Sequence, residues 1–128
     1  MIVLDASVLI AVLDPHDAHH QRAAAFVTAE QDEGMLIHPL TLAEVLVAPA
    51  RVGKAAFVRR SIIASGVEVW DPDDDEPERL ADLRVATGLK LPDCCVLDAA
   101  EHSSSSLATF DVRLDAVASR RGVRAMMT

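Results

Sequence analysis

Four acids in this chain each follow a short apolar run, at points where strands should end and helices begin: Asp5 in IVLDAS, Glu44 in LTLAEV, Asp93 in LKLPDCCV and Asp111 in LATFDV. They lie far apart in the chain, yet a parallel sheet would bring such positions to one edge. Four converging carboxylates repel one another unless a divalent cation sits between them. An all-oxygen donor set of this kind suits a hard cation, and such a cation suits chemistry on phosphate.

Each acid also has an ordinary explanation. Asp is a favoured helix N-cap, and Asp111 reads as one at a strand-to-helix junction. Thr41 and Glu44 have capping-box spacing, so a cap and a ligand are both open at Glu44. Asp5 is harder to explain away. It ends an apolar strand, where an unpaired carboxylate is costly to bury, and Ser7 lies two residues on, placed to hold a carboxylate or a ligated water.

The elements that must position these residues alternate. IVLD reads as a buried strand and ASVLIAVL as an apolar helix stopped by Pro15. HDAHHQRAAAFVTAEQDEG reads as a helix with a Gly stop. MLIHP is a second strand closed by Pro39, and TLAEVLVAPAR a helix that Thr41 would cap. Residues 53–65 continue as a helix, VEVW as a strand, and Glu76 to Thr87 as a helix ending at Gly88. Pro92 falls in the first turn of a helix running through DCCVLDAAEH. SLATF, the helix DVRLDAVASRRG and a last short strand, VRAM, complete the series. Strands alternating with helices over short connections predict an α/β fold with a mainly parallel central sheet flanked by helices. At 128 residues the chain is expected to form one domain over 1–128, long enough to bury a real core.

Composition narrows the function. Aromatics make up only 3% of a chain that is 51% apolar, so aliphatic side chains must pack the core. No apolar run reaches the roughly 20 residues of a membrane span, and the apolar N-terminus, interrupted by Asp5, does not read as a signal peptide. The adjacent Cys94 and Cys95 cannot form an ordinary disulfide. They suit a reducing cytoplasm and, with no His near them in sequence, read as buried apolar residues and not as a zinc site. The net charge of −8 owes six units to the acids of DPDDDEPE (71–78), which reads as a solvated loop leading into a helix, and the remainder carries −2. A strongly acidic total argues mildly against nucleic acid, although bound cations invert the sign locally.

DAS at the first strand, Glu in the helix after the second, K-L-P-D before an apolar helix and T-F-D after a late strand together resemble the PIN-domain ribonucleases, and among them the VapC-type toxins of bacterial toxin–antitoxin pairs. The likeness runs from residue 2 to about residue 124. It implies that Asp5, Glu44, Asp93 and Asp111 bind Mg²⁺ or Mn²⁺ and carry catalysis, with Ser7 and Thr109 supporting them. It also implies a structured RNA substrate such as tRNA or rRNA, a homodimer, and an antitoxin segment that blocks the acidic pocket. The chain departs from the family at Asp98, where a small neutral residue is usual. Asp98 lies about 140° round the helix from Asp93 and should face solvent or an Arg. Asp115, one turn beyond Asp111, is the better outer partner. Leu114 replaces a common Phe, which bears on packing.

Other side chains are weaker candidates. His16 and His20 have i,i+4 spacing but lack the Glu of an H-E-x-x-H motif, so the cluster with His19 reads as a solvated helix start. His38 reads as a hydrogen-bonded strand-end residue. Arg51, Arg59, Arg60, Arg113, Arg120, Arg121 and Arg124 suit phosphate, but no aromatic platform interleaves with them. Two competing functions remain. One is phosphoryl transfer through an aspartyl-phosphate at Asp5, which lacks the D-x-D pattern because residue 7 is Ser. The other is a non-catalytic module that has kept the fold and lost the activity.

Overall fold

The computed structural model describes residues 1–127. Five strands, β1 (Ile2–Leu4), β2 (Met35–Ile37), β3 (Val67–Val69), β4 (Ser106–Ala108) and β5 (Ala125–Met126), form one sheet in the order β3-β2-β1-β4-β5. Every pairing is parallel, so the strands' carboxyl ends share one rim. The chain leaves β1 towards β2 on one side and later returns to β4 on the other. That reversal opens a crevice beyond β1 and β4, the place where open α/β sheets bind ligands.

Seven helices connect the strands: α1 (Ala6–Leu13), α2 (His20–Ala29), α3 (Pro39–Arg51), α4 (Ala55–Ala64), α5 (Glu76–Thr87), α6 (Leu91–His102) and α7 (Val112–Arg120). Strand alternation divides the core between the two faces. Ile2, Leu4, Met35 and Ile37 pack with Val8, Leu42 and Ile62 on one face. Val3, Leu36 and Leu107 pack with Leu97, Leu114 and Val117 on the other. Leu114 is fully buried there, which gives the expected packing role a definite place. No helix among the described residues is long and apolar enough to cross a membrane.

Two helix starts differ from the sequence reading. α2 begins at His20, because Asp14 and Asp17 fold the preceding segment into side-chain-closed turns by accepting from the His16 and His19 N–H groups at 2.9 and 2.8 Å. His16 and His20 therefore do not share a helix face. α3 begins at Pro39, where a missing N–H costs nothing. Its cap is His38, whose Nδ1 accepts from Leu40 N–H at 3.0 Å. Thr41 lies inside the first turn, buried, with its Oγ1 unpartnered. The capping box does not form, and Glu44 is left without a capping role. At the other end of α5, Gly88 takes φ 72°, the left-handed conformation that terminates a helix cheaply only for glycine.

Candidate active site

The rim above β1 and β4 is laced together by one carboxylate. Asp5 is only 9% exposed, and three donors make its charge tolerable. Ala6 N–H donates to Oδ1 at 2.9 Å, while the hydroxyls of Ser7 and Thr109 donate to Oδ2 at 2.9 and 2.7 Å. Each hydroxyl also accepts a backbone N–H from the turn after β4: Ser7 Oγ from Phe110 at 3.1 Å and Thr109 Oγ1 from Asp111 at 2.9 Å. The exits of the two central strands are thus held in one network.

Asp111 caps α7 through Oδ1, which accepts from Arg113 and Leu114 N–H at 2.8 and 3.0 Å. Its Oδ2 takes no part in the cap, so capping and facing the crevice are compatible. Asp93 stands in the first turn of α6 and Glu44 in the second turn of α3. Neither accepts a hydrogen bond from a described residue. Partial burial, and then the charges of Asp5 and Asp93, push the Glu44 carboxyl above its usual range. Burial, and then the charges of Asp5 and Asp111, push Asp93 up, against the pull of Lys90 and Arg113. Through these interactions the four acids form one electrostatic cluster. Two of its members are held by hydrogen bonds and two stand unpaired. Such a donor set fits Mg²⁺ or Mn²⁺, which take carboxylate oxygens and retain water.

The surroundings sort the remaining candidates. Asp98 turns away from the cluster and receives a bidentate bond from Arg79, Nε to Oδ1 at 2.9 Å and Nη2 to Oδ2 at 3.0 Å, which ties α5 to α6. Asp115 accepts from Ser119 Oγ at 3.3 Å on its own helix. Of the two cations whose charges reach Asp93, the sequence reading names Arg113 among the arginines that suit phosphate but gives Lys90 no role in the site. The signal was present, since Lys90 precedes Asp93 by three residues and Arg113 follows Asp111 by two.

Behind the rim, a ligand atom from each of His38, Glu76 and Cys95 lies within 4.8 Å of the other two, and all three residues are buried. This corrects two expectations: a His does stand beside the cysteines, and Glu76 belongs to the interior and not to a solvated loop. His38 and Glu76 form a hydrogen-bonded pair, with the Cys95 thiol beside them. His38 Nδ1 already accepts the Leu40 N–H, so Nε2 carries the ring proton and donates to Glu76 at 3.1 Å. A cation on Nε2 would require both ring nitrogens to act as bases. Burial, reinforced by the Glu76 charge, pushes the Cys95 thiol up to about 12, so it is not a thiolate. The pair fixes the start of α3, and hence Glu44, against α5. Glu76→Ala leaves the buried His38 N–H without an acceptor and should cost about 1–3 kcal/mol. Glu76→Gln, which keeps an acceptor oxygen, should recover most of it. Urea midpoints at unchanged slope measure both.

An aromatic feature that the sequence reading denied also borders the rim. The rings of His19 and Phe110 stack with centroids 4.1 Å apart and planes 10° from parallel. The Arg22 guanidinium lies 5.4 Å from the Phe110 centroid.

Comparison with known proteins agrees with this architecture. The PIN domain sequence profile matches residues 2–120. No curated protein matches the chain. Among solved structures, a toxin–antitoxin complex from Klebsiella pneumoniae is similar at 23% identity and TM-score 0.74, covering 91% of each chain. A sarcin–ricin-loop-cleaving VapC toxin of Mycobacterium tuberculosis is similar at 18% identity and TM-score 0.77, covering 91% of this chain and 95% of that one. VapBC2 of Rickettsia felis, bound to a promoter DNA fragment, is similar at 14% identity and TM-score 0.75, covering 98% of both. At these identities the likeness is one of fold.

Proposed function

The chain belongs to the PIN-domain family, and from that premise we propose that it is a Mg²⁺- or Mn²⁺-dependent endoribonuclease, the toxin of a toxin–antitoxin pair. The observation that carries this reading is the cluster of Asp5, Glu44, Asp93 and Asp111, in which burial and the neighbouring acids push the unpaired Glu44 and Asp93 carboxyls above their usual range. Asp5, oriented by Ser7 and Thr109, is its centre. Asp93, Glu44 and Asp111 complete the ligand set, and Asp115 serves as an outer partner. A divalent cation supplies charge neutralisation and water activation for phosphodiester hydrolysis. Lys90 and Arg113, beside Asp93, are suited to draw a phosphate towards the acids against their own repulsion.

The remaining parts of the reading rest on the fold. The similar structures include toxin–antitoxin complexes, and a cognate antitoxin that shields the acidic rim fits a site whose carboxylates invite an Arg. The substrate is a structured RNA such as tRNA or rRNA, the active form is a homodimer, and the site of action is the cytoplasm. An aspartyl-phosphate at Asp5 is disfavoured, because all three donors bind the oxygens that would have to attack. The test is incubation of the purified protein with total RNA in Mn²⁺, with a chelator control. Discrete new 5′ ends that vanish with the chelator are expected. Intact RNA under both conditions sinks the proposal.

A further inference from the structure

The His19–Phe110 stack has no role in holding the acids, yet it is built into their frame. Phe110 lies between Thr109, which bonds Asp5, and Asp111, which caps α7. Its own N–H donates to the Ser7 hydroxyl. The ring therefore has a fixed position relative to the carboxylates. From the other side, α2 is anchored to α1 by His20 Nδ1 bonding Ala11 O at 2.8 Å, and the His19 N–H is tied to Asp17 Oδ1. The Arg22 guanidinium near the ring is itself held by Met127 O at 2.9 Å.

Phe110 is partly buried and packs against the core, which accounts for half of the arrangement. It does not account for His19. That residue stands at the N-cap of α2 but makes no capping bond with its side chain, and it is exposed. An exposed ring stacked flat on a fixed ring, with a cation beside the pair, is the platform on which a nucleobase stacks, a contact that tolerates any base because every base has a π-face.

We propose that His19 and Phe110 form a stacking platform for an unpaired base of the RNA, next to the phosphate that enters the acidic crevice. Arg22 is placed to meet the adjoining backbone. The platform deepens the ribonuclease reading and rests on it. It specifies that the cleaved segment is single-stranded and unstacked at that position, since only a splayed-out base offers its face to an aromatic side chain.

The test separates base from backbone. Binding is measured for an oligoadenylate of about ten nucleotides and for an abasic oligomer of the same length, in Ca²⁺ in place of Mg²⁺ or Mn²⁺. Wild type should prefer the oligoadenylate by about 5- to 150-fold, the span of one base–aromatic stack. His19→Ala should bring the ratio close to one, and His19→Phe should restore it. In cleavage assays His19→Ala should raise KM more than it lowers kcat, because the stack holds substrate and transition state alike. Equal affinity of wild type for the two oligomers, or a preference that survives His19→Ala, overturns the platform and leaves the nuclease reading standing. A base-dependent preference in a protein that cuts no RNA in Mn²⁺ overturns the nuclease reading instead.

Discussion

Asp5→Asn should reduce Mn²⁺-dependent RNA cleavage by about a thousandfold or more while leaving the fold in place. The exchange removes one charge and keeps the shape. The amide oxygen can accept from Ala6 N–H as Oδ1 does now. The amide nitrogen would face the Ser7 and Thr109 hydroxyls, which are donors to Oδ2 in the native protein. Hydroxyls rotate and accept as readily as they donate, so both bonds can be remade in reverse, and each oxygen retains a lone pair for the Phe110 or Asp111 N–H. What cannot be remade is the negative charge at the most buried point of the cluster. Charge stabilisation by a correctly held cation is worth several kcal/mol in the transition state, and each 1.36 kcal/mol is a factor of ten in rate. The measurement is single-turnover cleavage beside a melting curve and circular dichroism. Cleavage within tenfold of wild type, in a variant that folds, removes Asp5 from the site.

The same network explains what was legible in the sequence. Asp5 and Asp111 stood out because a parallel sheet sends every strand end to one rim, so an acid after an apolar run has a predictable address. Helical geometry also separated Asp98 from Asp93, and Asp98 bonds Arg79. α5 ran as expected from Glu76 to Thr87, since Gly88 at φ 72° is a stop signal that depends on one residue alone. The failures share the opposite property. His38 caps α3 and Thr41 does not, because His38 is held from behind by Glu76, a partner on another element. The His19–Phe110 stack was invisible because it joins residues from opposite ends of the chain. The start of α2 also differs from the sequence reading, because Asp14 and Asp17 turn the backbone. Local chemistry was readable, and pairings between distant elements were not.

Without metal, the acids weaken the fold that carries them. The Glu44 and Asp93 carboxyls are raised in the folded protein by burial and by their acidic neighbours. For a raised carboxyl, the folded state holds its proton more tightly than the unfolded chain does. The site's contribution to stability is therefore fully present below the ordinary values of 4.5 for Glu44 and 3.8 for Asp93 and is lost as pH rises through the raised values. As the two groups lose their protons, their repulsion with Asp5 and Asp111 grows. Mn²⁺ should reverse this. At a hundred times its dissociation constant it adds about 2.7 kcal/mol, which for a domain of this size is a rise in Tm of about 10 °C. Asp93→Asn makes the argument two-sided. It removes a repelling neighbour of Glu44, so the metal-free variant should melt higher than metal-free wild type at pH 7. It also removes a ligand. If affinity falls a hundredfold, the same Mn²⁺ concentration adds only about 0.4 kcal/mol, a shift of about 2 °C. The metal-free stabilities should converge on acidification, with the advantage of Asp93→Asn disappearing as Asp93 itself becomes protonated. A variant destabilised without metal would mean that Asp93 does not repel Glu44, and one stabilised by Mn²⁺ as strongly as wild type would mean that Asp93 does not hold the ion.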